Sequence, residues 1–558
     1  MKKTLIINLR RLGDVYTTGH LINSTINSDD SNKVSMLVFK ESSKAAAQLK
    51  HIENLFTIDR KEIITIKTNK IFSDGYALEQ LFNQLQTIRS IQWDEIVNYS
   101  NDIISAYICS YLKDSSKKII GVHFNSNNKV ISGNDWEMLF NDIMPNLKYS
   151  PLHFVDCYHK MLGTPSFREG TKIKTNTDFN TQAFNYLNSL RQINKNTQGE
   201  TKIIGIQLKT ADLNKDIPEA IIIELIKLIQ KTKQLIPVLL VAPNKEEQYF
   251  ADQINAEFNN ELIIVESDLE AVASVLMNID LLITPDTAIK HIADLCETSV
   301  IEVSLGHAPF LKQGTYHQGS LVLTDAINLR NFSKSTKAAT QERSTQIKAV
   351  DIFATVLYFF TNTKTIKPSL SSGVTLYSCS HDELGARYTA ISGTIDNQIE
   401  TSRLMQRQVL HFIFDQQESN DIYEKLNSFG VNAINTWTAQ EKNTVTSCMK
   451  DLLGTLRSLL QCQENTKSTK DFVINLGKLI EYSEKFSTVQ IPVAIFKSKI
   501  ELINAKTFED NAKEVEVLLY ELKADIQKSL HCIKKLEERM QNQKKTDFIN
   551  RTHEQLSN

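Results

Sequence analysis

Residues 281–294 read Leu-Leu-Ile-Thr-Pro-Asp-Thr-Ala-Ile-Lys-His-Ile-Ala-Asp. An apolar strand over 280–284 stops at Pro285. An acid, a hydroxyl and a small residue (Asp286, Thr287, Ala288) then stand at the mouth of a helix, with His291 one turn in. A helix N-terminus carries unpaired N–H groups and a partial positive charge, so it favours phosphate. The small Ala288 leaves room for a ligand near the backbone. A matching stretch lies near the start: Leu-Ile-Ile-Asn-Leu-Arg-Arg-Leu-Gly-Asp-Val-Tyr-Thr-Thr-Gly, residues 5–19. It reads as a strand, a turn permitted by Gly13, and an acid, Asp14, at a helix start. Two such junctions suggest two nucleotide-type α/β domains facing each other.

The alternation of strand-like and helix-like pieces supports this. Short β-branched or apolar runs at 4–9, 33–39, 95–99 and 118–122 suit a parallel sheet buried on both faces. Leucine and isoleucine recur at helical spacing over 76–91. After a polar, helical stretch at about 126–200, a second strand–helix series runs from 202 to 304. Its strands fall at 202–207, 236–241, 262–265, 281–284 and 300–304. After about residue 365 strand-like runs thin out, and only one proline, Pro492, follows Pro368. Leu519, Leu522, Ile526, Ile533, Leu536 and Met540 follow a 3–4 spacing interrupted at Ser529, the seam of a coiled coil or of a helix inside a bundle. The expected domains are 1–185, a Rossmann-like acceptor side, 186–364, a Rossmann-like donor side, and 365–558, a helical domain for an acceptor, a protein partner or oligomerisation.

Bulk properties narrow the function. The chain has 558 residues, a formal charge of −2, 41% apolar and 23% charged residues. A balance so close to neutral gives no reason to expect nucleic acid as a partner. No apolar run approaches the roughly 20 residues of a membrane span. Seven cysteines without a Cys-x-x-Cys pair argue for reduced thiols and against a zinc site or disulfide framework. The expected location is the cytoplasm, with peripheral attachment to the inner membrane face left open.

Each candidate site residue has a structural alternative. Asp14 is a proton acceptor for a hydroxyl in the cleft, or a helix cap. Thr210 and Lys215, in the loop 209–215, grip a diphosphate or belong to an ordinary solvated loop. Glu246 and Glu247, after another strand, bind ribose hydroxyls or open a charged helix. Asp286 and His291 border the crevice, or act as a cap and a structural histidine. The dinucleotide, P-loop, zinc-protease and serine-hydrolase motifs are absent. No Asp-x-Asp stands at a strand end, so no metal is expected.

Taken in order, these segments resemble glycosyltransferase family 9, the heptosyltransferase family of GT-B fold, over about residues 1–360. Residues 10–18 resemble its first-strand signature, whose aspartate is the catalytic base. Residues 286–291 are similar to its Asp-Thr-Gly-x-x-His donor segment. Thr210, Lys215 and Pro218 are similar to its phosphate loop, and Glu246 or Glu247 falls near its ribose-binding glutamate. Ala288 departs from the family's glycine and Gly19 from its frequent proline.

The resemblance implies a metal-independent, inverting glycosyltransferase with no cofactor. Its substrate would be a nucleoside diphosphate sugar, most often ADP-heptose. Asp14 would be the base, and Thr210, Lys215, Glu246, Glu247, Asp286, Thr287, Ala288 and His291 would line the donor side. The acceptor would be a hydroxyl of a bacterial surface glycan or lipopolysaccharide core, glycan or lipid-linked. Two alternatives stay open: transfer to a surface or flagellar protein, and a catalytically silent GT-B-like binding protein.

Overall fold

The computed structural model describes residues 2–69, 71, 74–100, 102–125, 130–131, 135–144, 150–193, 200–306, 309–327, 345–361, 365–428, 431–461, 466–503 and 505–557. Contacts divide the chain into two units. The first holds Met1–Asn141 and Leu152–Ile395, the second Asp142–Pro151 and Asp396–Asn558.

The first unit contains two main sheets. In one, β1 (Lys3–Ile7), β2 (Lys33–Phe39), β3 (Ile52–Ile58), β4 (Trp93–Asn98) and β5 (Ser116–Gly121) run parallel in the order β3-β2-β1-β4-β5. Of these, β3 was not expected. It is an edge strand, half exposed, and its Glu53-Asn54 pair hides the apolar pattern. A two-residue hairpin follows, β6 (His123–Phe124) with β7 (Val130–Ile131).

The other sheet has eight strands: β8 (Lys202–Gln207), β9 (Leu235–Val241), β10 (Ile263–Glu266), β11 (Leu281–Thr284), β12 (Val300–Val303), β13 (Leu321–Asp325), β14 (Val374–Asp382) and β15 (Gly385–Gly393). Their order is β10-β9-β8-β11-β12-β13-β14-β15, parallel as far as β13 and antiparallel beyond. Strands β14 and β15 fall at the start of the stretch 365–558 that is expected to be mainly helical. Small polar residues such as Ser378, Ser380 and Ser392 thin their apolar pattern. Their register on β13, Leu321 opposite Ser378 to Asp325 opposite Val374, makes them part of this sheet. The helical texture begins only at Asn397.

Strand side chains alternate between faces, so each sheet is covered twice. Leu5 and Ile7 join a core with Leu85, Ile88, Ile108 and Leu112 from the helices Asp74–Arg89 and Ile103–Leu112. Ile6, Met36 and Val38 face the opposite way, into a core that also takes in Ile203, Val238, Leu282 and Leu295. That shared core joins the two halves through the helices Leu12–Ser28 and Ala288–Cys296. Gly19 permits this packing: a Cβ there would come within 3.0 Å of both Leu295 Cδ2 and Leu49 Cδ2.

Among the described residues of the second unit six helices follow in sequence: Asn397–Phe414, Asn420–Ser428, Val431–Gln461, Thr466–Lys485, Ser487–Leu502 and Phe508–Ser557. Leu519, Leu522 and Ile526 are buried in one core, and Ile533, Leu536 and Met540 in another. Ser529 is also buried. The 3–4 seam is thus covered within the chain by neighbouring helices, which answers the choice between bundle and intersubunit coil in favour of the bundle. Among the described residues no helix is long and apolar enough to cross a membrane, and six cysteines are free and buried. The seventh, Cys462, lies outside the described residues.

Candidate active site

Strand order reverses beside the first strand of each sheet, between β1 and β4 and between β8 and β11. Loops leaving the C-terminal ends diverge at such points and open a crevice. The loop after β1 leads into the helix that carries Gly13 and Asp14. The loop after β8 carries Thr210 and Lys215, and that after β11 carries Asp286 and Thr287. Asp14, Thr210, Lys215, Asp286 and Thr287 therefore follow strands that flank the two switch points, whereas Glu246 and Glu247 follow β9, one strand away.

Gly13 is the second residue of the helix Leu12–Ser28 and has no left-handed φ. The expected turn is therefore replaced by a close approach. A Cβ on Gly13 would lie 3.1 Å from His291 Cδ2 and 3.9 Å from the Ala288 Cα. The starts of the two helices meet at this point. Asp14 is partly buried one residue on, and it is not the N-cap, which is Arg11. Burial lifts its pKa above the ordinary aspartate value, against the Arg10 and Arg11 charges and a hydrogen bond from the Arg11 N–H, with Asp286 adding to the rise. A helix start by itself would lower an aspartate; here desolvation outweighs it. Arg10 is turned aside, its Nε donating to the Ser100 carbonyl at 2.7 Å.

Asp286 is the hub of the other side. Its Oδ1 accepts from Lys290 Nζ at 2.6 Å, and its Oδ2 from Lys215 Nζ at 2.7 Å and Gln313 Nε2 at 3.1 Å. Burial disfavours the charged carboxylate, but Lys290 and Lys215 outweigh it and hold the pKa well below the usual range. Lys290 Nζ, fully buried, also donates to Glu302 Oε1 at 3.2 Å and the Gln313 carbonyl at 2.8 Å. Burial opposes its charge, and the Asp286 and Glu302 carboxylates raise its pKa regardless. Burial, then Lys290, pushes the His291 imidazole down to about 3, so the ring facing Gly13 is neutral.

The remaining candidates serve internal contacts. Thr210 Oγ1 donates to the Asp212 carbonyl at 2.6 Å, while its N–H bonds Asp216. Thr287 Oγ1 donates to Gln207 Oε1 at 2.7 Å, an oxygen shared with Thr284. Glu247 closes the helix start at Asn244, accepting from the Ala242 N–H and from Asn244 Nδ2. Glu246 is exposed in the same first turn. Ala288 opens its helix.

Sequence reasoning missed Lys290, Glu302, Gln207 and Gln313. Two signals were available: Asp286, Lys290 and Asp294 recur at four-residue spacing, which places them on one helix face, and Glu302 stands inside an apolar strand.

Two doubly wound halves that turn switch-point loops toward each other, with a desolvated carboxylate on one and a lysine–aspartate pair on the other, follow the GT-B plan of group-transfer enzymes. Residues 82–309 match Glycosyltransferase family 9 (heptosyltransferase), and the chain is a glycosyltransferase. The match takes in Lys215 and residues 286–291, while Asp14 precedes it.

No curated relative matches the chain in sequence. Similar solved structures include a family 9 glycosyl transferase from Veillonella parvula, 14% identical over 61% of this chain and 90% of that one, with a TM-score of 0.43. The E. coli heptosyltransferase WaaC with ADP is 15% identical over 56% and 90%, with a TM-score of 0.40. E. coli ADP-heptose lps heptosyltransferase II is 12% identical over 56% and 88%, also at 0.40.

Proposed function

We propose that this glycosyltransferase moves a heptose-like sugar from a nucleoside diphosphate to a hydroxyl of a bacterial surface glycan or lipopolysaccharide core, without a metal and with inversion. The observation that carries the reading is the meeting of the two helix starts: Asp14, with its raised pKa, stands beside the segment that holds Asp286, while Lys215 reaches in from the β8 loop. In this reading Asp14 accepts the proton of the acceptor hydroxyl as its oxygen attacks the anomeric carbon from the face opposite the diphosphate. Lys215 stabilises the charge that builds on the leaving diphosphate, an electrostatic contribution that is largest in a site shielded from water. ADP-heptose is the first donor to try, because the family match is to heptosyltransferases.

The test is a thermal-shift panel of nucleotide sugars, followed by transfer assays with and without a chelator. A ligand that binds only the folded state raises its melting temperature. A shift with ADP-heptose, and transfer that survives the chelator, support the reading. No shift with any nucleoside diphosphate sugar would remove it.

A further inference from the structure

Asp286 holds two lysines of unlike standing. Lys290 is fully buried, and its three N–H donors are taken by Asp286, Glu302 and the Gln313 carbonyl. The Lys215 side chain retains 12% of its exposure, and its described partner is Asp286. Its loop lies against Gly306, whose φ is +75° and where a Cβ would meet the Asn214 carbonyl oxygen at 3.1 Å and Lys215 Cγ at 3.2 Å. The geometry points to Lys290 as a positioning residue: a standing counter-charge that keeps Asp286 paired and so lets Lys215 leave it for a donor diphosphate. This rests on the nucleoside diphosphate reading above.

The physical reason is the cost of a buried charge without a partner. With Lys215 as its only cation, Asp286 would be stranded whenever that lysine turned to an incoming anion. With Lys290 fixed behind it, Asp286 stays neutralised and hydrogen-bonded, Gln313 included, and the exchange of Lys215 between two anions costs little. Glu302 plays the matching part for Lys290, supplying a second carboxylate at the closed end of the row. Thr315 N–H donates to Glu302 Oε2 at 2.7 Å, and Asp294 Oδ1 accepts from Thr315 Oγ1 and from the N–H groups of Tyr316 and His317. The loop after Gln313 is thereby tied to the same helix face, so Lys290 has no room to follow Lys215 outward.

The test measures affinity of the full-length chain for ADP, UDP and the matching nucleosides by calorimetry. Wild type should bind one of the diphosphates more tightly than its nucleoside. Lys290→Met should lower diphosphate affinity about tenfold or more, a scale set by one charge-assisted contact, and leave nucleoside affinity unchanged. Adding Asp286→Asn to Lys290→Met should restore the loss, because Lys215 then has no anion to keep.

Asp286→Asn alone, which leaves Lys290 its bond to Glu302, should bind the diphosphate at least as tightly as wild type. This variant decides the matter if Lys290→Met does not fold. Equal losses for diphosphate and nucleoside in Lys290→Met, or no recovery in the double variant, overturn the proposal. Weaker diphosphate binding by Asp286→Asn alone also overturns it. Wild-type chain with no affinity for either diphosphate overturns the proposal together with the functional reading.

Discussion

Gly13 stands against the ring of His291: a Cβ would come to 3.1 Å from His291 Cδ2, so the ring would have to give by a few tenths of an ångström. Gly13→Ala should therefore lower the melting temperature, although alanine is the better helix former by about 1 kcal/mol. Overpacking against a buried ring costs about 1–3 kcal/mol, and His291 is only 8% exposed. Gly13→Ala combined with His291→Ala should recover part of the loss. A Gly13→Ala chain more stable than wild type would show that the two helix starts can move apart freely.

Asp14→Asn keeps the shape of the side chain and removes its ability to take a proton at neutral pH. It should fold with a melting temperature near that of wild type and bind donor normally. Its turnover should fall by about 10²–10⁴-fold, the usual contribution of a positioned acid or base. The pH profile adds a second check. Burial raises the Asp14 pKa, and the base works ionised, so kcat/KM should climb with pH along an acid limb lying above the ordinary aspartate value. An Asn variant with near-wild-type turnover on a true acceptor would sink the assignment.

A chain ending at Ile395 should remain folded and soluble, and one ending at residue 364 should not. The shorter cut removes β14 and β15, strips β13 of its antiparallel neighbour, and takes away the buried Val374, Leu376, Tyr377 and Tyr388. An unpaired strand edge of this kind invites aggregation. Size-exclusion chromatography and circular dichroism distinguish the two cases. Equal behaviour of both truncated chains would mean the hairpin is dispensable.

Ile526→Asp should unfold part of the helical unit without changing its assembly. Ile526 is 2% exposed, in a core with Val445, Leu479 and Val493. An unpaired buried carboxylate there should cost about 3 kcal/mol or more. Helical content should melt at lower temperature while light scattering of the folded protein gives an unchanged mass. A drop in mass would return the seam to an intersubunit coil.

Glu441 gives the helical unit a pH dependence of its own. It is buried, its Oε1 accepts from the Thr488 N–H at 2.9 Å, and Oε2 has no partner among the described residues. Burial raises its pKa to about 8. Between the ordinary glutamate value and about 8 the folded state holds a proton that the unfolded state has lost, so stability should fall as pH rises through that window. Urea unfolding followed by helix signal at pH 5 and pH 8 measures this, and Glu441→Gln should flatten the difference. An equally steep decline in Glu441→Gln would assign it to other groups.

The sequence by itself determined the parallel strands, because β-branched runs between periodic helices have few other solutions. It also put Gly13, Asp14, Lys215, Asp286 and His291 at strand-to-helix junctions, since short motifs carry their local geometry with them. It missed β3, which is half exposed, β14 and β15, whose patterns are thinned by serines, and the short buried β13; all four are completed by neighbours distant in sequence. Tertiary structure alone decided what each side chain faces. The lysine four residues after Asp286 became a buried counter-charge only because Glu302, from the next strand, closes behind it. Gly13 is tightly packed only because another helix brings His291 to it. Thr287 spends its hydroxyl on Gln207, a residue 80 positions earlier in the chain. Pairing of charges and the space around a glycine depend on which surfaces meet, and one-dimensional spacing does not specify that.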